Sequence, residues 1–304
     1  MKTVKVRYLV AMLLLILGLS SITAYAKDSS GQCGETAYWS LDKKGVMTIS
    51  GTGAMWDFRN DADYFDYHPC PWTGQRAAIT KVVFQSGITY VGADAFTACK
   101  NLKQVSFPET LTSIGCFSFL GCENLQNFTL PDSLQGIGQQ AFDGCKKITK
   151  VVIPDNVTFL DAGIFGGATA LTDVYIGGKK GVSTYIYSNC IFRDCTALEE
   201  IKVSPDNLGL TAIDGILYSK DGMQLAQYPL GRKDKKVVLP SGTKEIMQFA
   251  IEGAVYLEEI VLPEGLEFVG TMGICRCPEL KALTIPSSMQ VFEADNGLAL
   301  GWTT

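Results

Sequence analysis

The chain contains a single histidine, His68, that could support acid–base or nucleophilic chemistry. A Ser-His-Asp or Cys-His arrangement could therefore be built only around this side chain. No nucleophile-elbow sequence lies near it, and Pro69, Cys70 and Pro71 follow it, as is typical of a loop. The sequence gives no support to hydrolytic chemistry of this kind.

Carboxylates are the other groups that could do chemistry. Asp61, Asp63 and Asp66 alternate, but the glycine turn and the distal glutamate of a calcium loop are absent, which favours a solvated loop. Carboxylate pairs for glycoside cleavage meet only in space and stay open at this point. Because CxxC, HExxH and phosphate-binding glycine motifs are also absent, we predict no enzyme, no metal and no cofactor.

The ten cysteines would suggest disulfides in an exported chain. Five of them share one register of a repeat, where Ala168 and Ala254 also occur: Cys99, Cys122, Cys145, Cys195 and Cys277. A position that accepts cysteine or alanine requires a small buried group, so we predict buried thiols there. Among the other five cysteines, Cys33 and Cys70 are the first pair to test for a disulfide bond.

Equivalent residues recur every 23 positions from Val91 to Ile176. The recurring sets are Val91, Ile114, Ile137 and Leu160; Phe96, Phe119, Phe142 and Phe165; and Leu102, Leu125, Ile148 and Leu171. A fixed period of this size with leucine-like positions is typical of a leucine-rich-repeat solenoid. We predict a right-handed β/α superhelix, mostly β with short helical turns at the AFxxC segments.

Each unit contains a short alternating segment that predicts a β-strand, ended by a proline such as Pro108. A glycine such as Gly92 marks the next corner. About nine parallel strands, stacked in one continuous sheet, begin near Lys81, Gln104, Asn127, Lys150, Asp173, Glu200, Lys236, Glu259 and Ala282.

Two regions depart from the repeat. Residues 27–78 contain two alternating segments around residues 42–45, which predict an N-terminal β-hairpin cap with Trp39, Met55 and Trp72 packed over the first coil. Residues 79–304 form the repeat domain. A β-hairpin insertion near 208–236, turning at Asp221-Gly222, is expected to project from one face, as a binding element or as a decorative excursion.

Residues 1–26 have a basic start, an apolar core and the small-residue site Ala24-Tyr25-Ala26. This pattern predicts a signal peptide cleaved after Ala26 and an exported protein, extracellular or on the cell surface. Removing its three positive charges leaves 23 Lys and Arg against 31 Asp and Glu, a net charge of −8. This balance argues against nucleic acid and against an anionic membrane, so contact with a membrane is expected only through surface attachment.

At these residues the sequence resembles the BspA-like leucine-rich repeats of bacterial cell-surface and secreted proteins. The IGxxAFxxCxxLxxVxxP unit, clearest from Ile137 to Pro154, carries the resemblance, together with Cys33-Gly34-Glu35, Pro71-Trp72 and the hairpin at 213–218. The resemblance implies adhesion to host proteins or to other cells, and no catalytic residues.

The outward strand positions form the candidate binding face. They are Lys81, Gln104, Ser106, Asn127, Thr129, Lys150, Val152, Asp173, Tyr175, Glu200, Lys202 and Glu259. An exposed solenoid sheet is a usual recognition surface. We therefore predict a protein-binding or adhesion module for extracellular proteins, such as host matrix proteins or surface glycoproteins. The alternatives are a carbohydrate-binding surface protein and a purely structural spacer.

Overall fold

The structure, a computed structural model, describes residues 29–58, 68–179, 183–184 and 190–292. The predicted signal peptide and the acidic residues Asp61, Asp63 and Asp66 lie outside these ranges. The regular secondary structure of the described chain is β, apart from one short 3-10 helix at Thr73–Ala78. In chain order the strands are β1 (Ser29–Gln32), β2 (Ala37–Leu41), β3 (Val46–Gly51), β4 (Gly53–Ala54), β5 (Lys81–Phe84), β6 (Ile88–Val91), β7 (Gln104–Ser106), β8 (Ser113–Ile114), β9 (Gly136–Ile137), β10 (Lys150–Ile153), β11 (Phe159–Leu160), β12 (Asp173–Ile176), β13 (Ser183–Thr184), β14 (Lys202–Val203), β15 (Leu210–Ile213), β16 (Ile216–Ser219), β17 (Gln224–Gln227), β18 (Lys236–Val238), β19 (Glu245–Ile246), β20 (Ile251–Glu252), β21 (Glu259–Val261), β22 (Phe268–Val269), β23 (Ile274–Cys275), β24 (Ala282–Thr284) and β25 (Val291–Phe292).

The strands confirm the solenoid and form two main columns of parallel strands along it. In the front sheet, Val82 of one coil is in register with Val105 of the next. In the back sheet, around the following corner, Val91, Ile114 and Ile137 are in register. The back sheet was not predicted, because most of its strands have only two residues and show no alternation.

The front sheet is not continuous, which corrects the prediction of an unbroken stack. No strand forms at Asn127, whose side-chain Oδ1 accepts hydrogen bonds from the backbone N–H groups of Thr149 (2.8 Å) and Lys150 (3.1 Å). One coil later, the backbone carbonyl of Thr149 accepts the equivalent bonds from Thr172 and Asp173. A side chain thus replaces the backbone acceptor at Asn127 and interrupts the ladder.

The AFxxC segments are hydrogen-bonded turns, without an assigned helix. The Cys99 N–H donates to the Phe96 carbonyl (3.0 Å), while the Phe96 N–H donates to the Ser118 carbonyl of the next coil (2.7 Å). Residues with positive φ recur in these turns, such as Phe117 (φ 57°) and Gln140 (φ 50°). The N–H groups of Asp94, Phe96 and Ala98 all donate to carbonyls of the next coil, so the turns bond along the stack.

Aromatic rings and thiols fill the core. Phe96, Phe119, Phe142, Phe165 and Phe192 are fully buried, with successive ring centroids 5.1–6.0 Å apart. Beside them, cysteine Sγ atoms donate to carbonyls of the preceding coil: Cys122 to Phe96 (3.2 Å), Cys145 to Phe119 (3.4 Å), Cys195 to Phe165 (3.1 Å) and Cys277 to Ile251 (3.5 Å). All ten cysteines are free thiols, including Cys33 and Cys70.

The predicted hairpin is present at the N-terminal end. β2 and β3 pair antiparallel, and β3 continues the front sheet by pairing in parallel with β5. Trp39, Met55 and Trp72 are buried as expected, and the Trp72 indole N–H donates to the Ala95 carbonyl (2.7 Å). An additional strand, β1, pairs with β2 at the outer edge. These contacts cover the end of the first coil.

The insertion does not project from the solenoid, contrary to expectation. β15, β16 and β17 form an antiparallel meander, and β17 then pairs in parallel with β19. Every residue of β16 is buried; Leu217 packs in one hydrophobic core, whereas Ile216 and Tyr218 pack in another. We call this meander the partition. The coils from Lys81 to Val203 form the first stack, and those from Lys236 to Phe292 form the second stack.

Candidate binding surface

All twelve residues of the predicted binding face are exposed or half-buried in the structure. Those on the front strands lie in two parallel rows because every second side chain of a strand points outward, whereas Asn127, Thr129 and Glu200 lie outside the strands. Lys150 is in register with Asp173, and Val152 is in register with Tyr175. The structure therefore brings these residues together as one surface, interrupted at Asn127 and again after β14.

The first row contains most of the charged residues, and these largely neutralise one another. Its members are Lys81, Gln104, Asn127, Lys150, Asp173, Glu200, Lys236, Glu259 and Ala282. Lys150 Nζ lies 3.0 Å from Asp173 Oδ2, and Lys236 Nζ lies 2.8 Å from Glu259 Oε1. Exposed ion pairs of this kind contribute at most about 1 kcal/mol to stability, and they leave little net charge to attract a partner. Asn127 also uses its amide internally, donating from Nδ2 to Thr149 Oγ1 (2.8 Å).

The second row is mostly uncharged. It contains Val83, Ser106, Thr129, Val152, Tyr175, Lys202, Val238, Val261 and Thr284. Lys202, its charged member, pairs with Glu200 (2.8 Å). Val152 and Tyr175 are 45% and 39% exposed and adjacent, so they form an apolar centre.

A further exposed aromatic residue extends this face into the cap. Tyr38 is 50% exposed on β2 and in register with Ser50 of β3. The sequence contained the signal, because strict alternation around the buried Trp39 places Tyr38 on the outward side. The predicted face began at Lys81 and missed this residue.

A polar cleft of about 840 Å³ lies where the chain leaves and rejoins the repeat stack. The cleft is lined by Ala197, Glu199 and Glu200, by the tip of the partition at 214–215, and by residues 232–234, with Thr172 at one side. Glu200 belongs to the first row, so the cleft opens beside the binding face. The cleft was not predicted from the sequence, since these segments meet only in the folded chain.

Arg232 organises the cleft. Its guanidinium donates from Nε to Asp234 Oδ2 (2.5 Å), from Nη2 to Asp214 Oδ2 (2.8 Å) and from Nη1 to the Asp214 backbone carbonyl. The guanidinium carbon also lies 5.9 Å from the centre of the Tyr228 ring. The Arg232 side chain is only 14% exposed, so these contacts hold a largely desolvated cation in place.

Other groups that could carry chemistry have structural surroundings. The imidazole of His68 stacks on Trp56, with centroids 4.2 Å apart. Burial raises the pKa of the Cys99 and Cys195 thiols to about 12, so they are protonated at neutral pH and poor nucleophiles. Within the described ranges, no three His, Cys, Asp or Glu residues are placed to hold a metal, and no helix has the length and apolarity needed to span a membrane.

Comparisons with solved structures agree with this architecture. A leucine-rich repeat protein from Eubacterium ventriosum is 24% identical, covering 86% of this chain and 73% of that chain, with a TM-score of 0.62. A leucine rich cell surface protein from Faecalibacterium prausnitzii is 23% identical, covering 87% and 78%, with a TM-score of 0.55. A leucine-rich repeat protein from Bacteroides ovatus is 19% identical, covering 82% and 69%, with a TM-score of 0.50.

A search of curated proteins finds no match. The sequence model of the BspA type leucine rich repeat region matches in six copies, over residues 75–199 and 232–295. The unmatched residues between these ranges contain the partition, which explains why the repeat pattern stops and resumes there. These matches extend over more than half of the sequence and follow the repeat seen in the strands. The chain belongs to the BspA-type leucine-rich repeat family.

Proposed function

We propose that this protein binds extracellular proteins through the front sheet, as a secreted or cell-surface adhesion module. The observation that carries the proposal is the adjacent pair Val152 and Tyr175, half exposed on a sheet held by a rigid stack. Exposed apolar and aromatic side chains surrounded by polar ones are typical of protein-binding sites. The protein acts by binding and not by catalysis.

Location on the outside of the cell is part of this proposal. The signal-peptide pattern of residues 1–26 and the cell-surface description of the Faecalibacterium relative support it. N-terminal sequencing of the protein recovered from the medium or cell surface tests it. A chain beginning at Lys27 is the expected result, and an intact Met1 in the cell interior contradicts export.

Binding is tested with immobilised host matrix proteins and the variant Tyr175→Ala. Loss of a half-exposed aromatic from the centre of an interface is expected to weaken binding roughly tenfold or more. Tyr256→Ala is the matched control, because Tyr256 is 48% exposed but lies outside the two rows. Equal effects of the two substitutions, or no binding by the unmodified protein, contradict the proposal.

A glycan array with the variants Tyr38→Ala and Tyr175→Ala tests the carbohydrate alternative. Sugars stack on exposed aromatic rings, and the face has two, Tyr38 and Tyr175. Glycan binding that depends on these rings, without protein binding, favours the alternative. If the surface binds neither proteins nor glycans, the role of a structural spacer remains.

A further inference from the structure

The front face carries a three-stranded sheet on each side of the partition, and the two sheets present the same order of charges. In the first stack, Lys150 on β10 is followed in register by Asp173 on β12. In the second stack, Lys236 on β18 is followed in register by Glu259 on β21. Both lysine side chains are more than half exposed. Each sheet therefore presents a basic residue on the side of the cap and an acidic residue on the far side.

The same four strands also expose apolar side chains in the second row. Val152 and Tyr175 lie on β10 and β12, and Val238 on β18 is 63% exposed. Val261, in register with Val238 on β21, is half-buried. Exposed apolar side chains that are bordered by charged ones favour contact with another protein surface.

Charge decides how these two sheets can face each other. When the strands of one sheet lie over those of the other in the same order, Lys150 faces Lys236 and the two carboxylates also meet. When the order is reversed, Lys150 faces Glu259 and Asp173 faces Lys236. Each charge then has an opposite charge across the interface in addition to the one on its own sheet, so the reversed order is favoured.

The reversed order also brings the apolar side chains together. Val152 then faces Val261, and Tyr175 faces Val238. Because neighbouring strands are about 4.8 Å apart in both sheets, the charged and the apolar contacts form in the same docking arrangement.

We infer that the front face binds the front face of a second copy of this chain, as a symmetric dimer. A two-fold axis that runs parallel to the strands and passes between β12 and β18 reverses the strand order and keeps the strand direction. In each copy, β12 then faces β18 of the other copy and β10 faces β21, so every contact occurs twice. This inference rests on the proposed protein-binding function of the front face and names a second copy as its partner.

The charged side chains next to this axis are already paired within the chain. Lys202 pairs with Glu200, and Arg232 pairs with both Asp214 and Asp234. Covering a paired charge costs less than covering a single one, so the cleft does not oppose the dimer. Because the contact involves only short strands, we expect weak association, with a dissociation constant on the order of 10 μM.

The experiment measures self-association of the purified protein by sedimentation velocity over a range of concentrations. Asp173→Lys places a lysine opposite Lys236 of the second copy, and Lys236→Glu places a glutamate opposite Asp173. Each variant alone is expected to dimerise about tenfold or more weakly, because like charges then meet twice in the dimer. A one-to-one mixture of the two variants should dimerise again, since each of these contacts once more joins a lysine and a carboxylate.

A chain that carries both substitutions separates the dimer contacts from the contacts within each sheet. Asp173→Lys with Lys236→Glu removes both pairs within the chain, Lys150 with Asp173 and Lys236 with Glu259. Opposite charges still face each other across the dimer, so dimerisation should be retained. Glu267→Lys is the matched control, because it reverses a similarly exposed carboxylate that pairs with Lys244 outside the two rows.

Three results would overturn the inference. They are an unmodified protein that stays monomeric throughout the range, single variants that fail to dimerise when mixed, and a Glu267→Lys protein that loses dimerisation as much as Asp173→Lys does. Because the mixture uses the same two proteins that fail separately, its dimerisation also shows that both variants are folded.

Failure of the dimer and failure of the proposed function are distinguishable. Matrix-protein binding that depends on Tyr175, by a chain that stays monomeric, overturns the inference and leaves the proposed function. Dimers that follow the charge pattern, without any binding to matrix proteins, support the inference and contradict a role of the face in binding host proteins.

Discussion

The first and second stacks share one backbone plan but differ in what fills it. In the first, a ladder of phenylalanine rings runs from Phe96 to Phe192. In the second, the equivalent inward positions hold Ile251 and Ile274, which are in register and fully buried. The register of backbone hydrogen bonds is thus compatible with either aromatic or aliphatic packing.

Buried polar atoms without a hydrogen-bond partner concentrate around the partition and in the second stack. Three lie in or next to the partition and two in the second stack: Tyr218 Oη, Gln227 Oε1, Tyr228 Oη, Thr243 Oγ1 and Glu252 Oε2. Each such group costs about 1–3 kcal/mol. Because the partition separates two hydrophobic cores, we predict that the second core, formed by the second stack with part of the partition, is the less stable part and can unfold separately.

Phe142→Ala is the most severe test of whether the two stacks unfold separately. Phe142 is fully buried, with its ring 5.1 Å from Phe119 and 5.4 Å from Phe165, so its loss is expected to cost about 3–5 kcal/mol. Hydrogen exchange in urea should show faster opening in the first stack and unchanged opening in the second. Ile274→Ala should give the reverse pattern, and uniform acceleration along the chain by either variant would refute two units.

Alkaline pH should act mainly on the first stack. The pKa of Cys99 and Cys195 is raised by burial from 9.0 to about 12, so the folded state keeps protons that the unfolded state loses. Their contribution to stability is therefore complete below about pH 9 and is lost as pH rises towards 12. Urea unfolding at about pH 8 and pH 10 should show this fall.

Cys195→Ala sharpens the pH experiment. Alanine occupies the same register at Ala168 and Ala254, so the substitution should be tolerated at neutral pH and should flatten the alkaline decline. A decline of unchanged steepness would mean that other groups, such as tyrosines, dominate.

Tyr218→Phe should change stability less than the preceding variants, and should leave it unchanged or raise it. Tyr218 packs in the second core, where its hydroxyl has no hydrogen-bond partner, so removing the hydroxyl should be neutral or stabilise this core by up to about 1 kcal/mol. The unfolding midpoint of second-stack amides is the measurement. A clear loss would show that the hydroxyl is satisfied by buried water.

The smallest effects are expected at the exposed charge triads. Glu123 contacts Lys100 and Lys146, and Glu258 contacts Lys235 and Lys281, one triad in each stack. Because these carboxylates are well hydrated and screened by salt, Glu123→Gln and Glu258→Gln should leave the unfolding midpoint nearly unchanged. A marked loss in one stack only would reveal a network absent from the other.

Most of the fold could be predicted from the sequence because repeated residues experience repeated surroundings. Phe119 and Cys122 could be placed in the core, and Val152 and Tyr175 on the surface, from period and alternation alone. The break at Asn127 could not, since an amide that captures two backbone donors looks like any polar strand residue. The burial of Leu217 and Tyr218 was also hidden, because the hairpin signal fixes a turn but not its depth.

The candidate site likewise has one part that could be predicted from the sequence and one part that could not. Its rows follow from strand alternation, but the cleft depends on contacts between distant segments. Glu200, Asp214 and Arg232 each look like solvated loop residues, and only the packing of Gly215 and Gly231 against the repeat brings them together.

The cross-coil hydrogen bonds of the AFxxC turns give the stack a direction. The N–H groups of Phe96, Phe119, Phe142 and Phe165 donate to the following coil. A duplicated 23-residue unit in the first stack would therefore find its donors, acceptors, ring and thiol positions already matched on both sides. Each duplication would lengthen the front face by one strand spacing, about 4.8 Å, without disturbing the cleft or the cap. The reach of the binding surface is thus a quantity that recombination within the gene can adjust in equal steps.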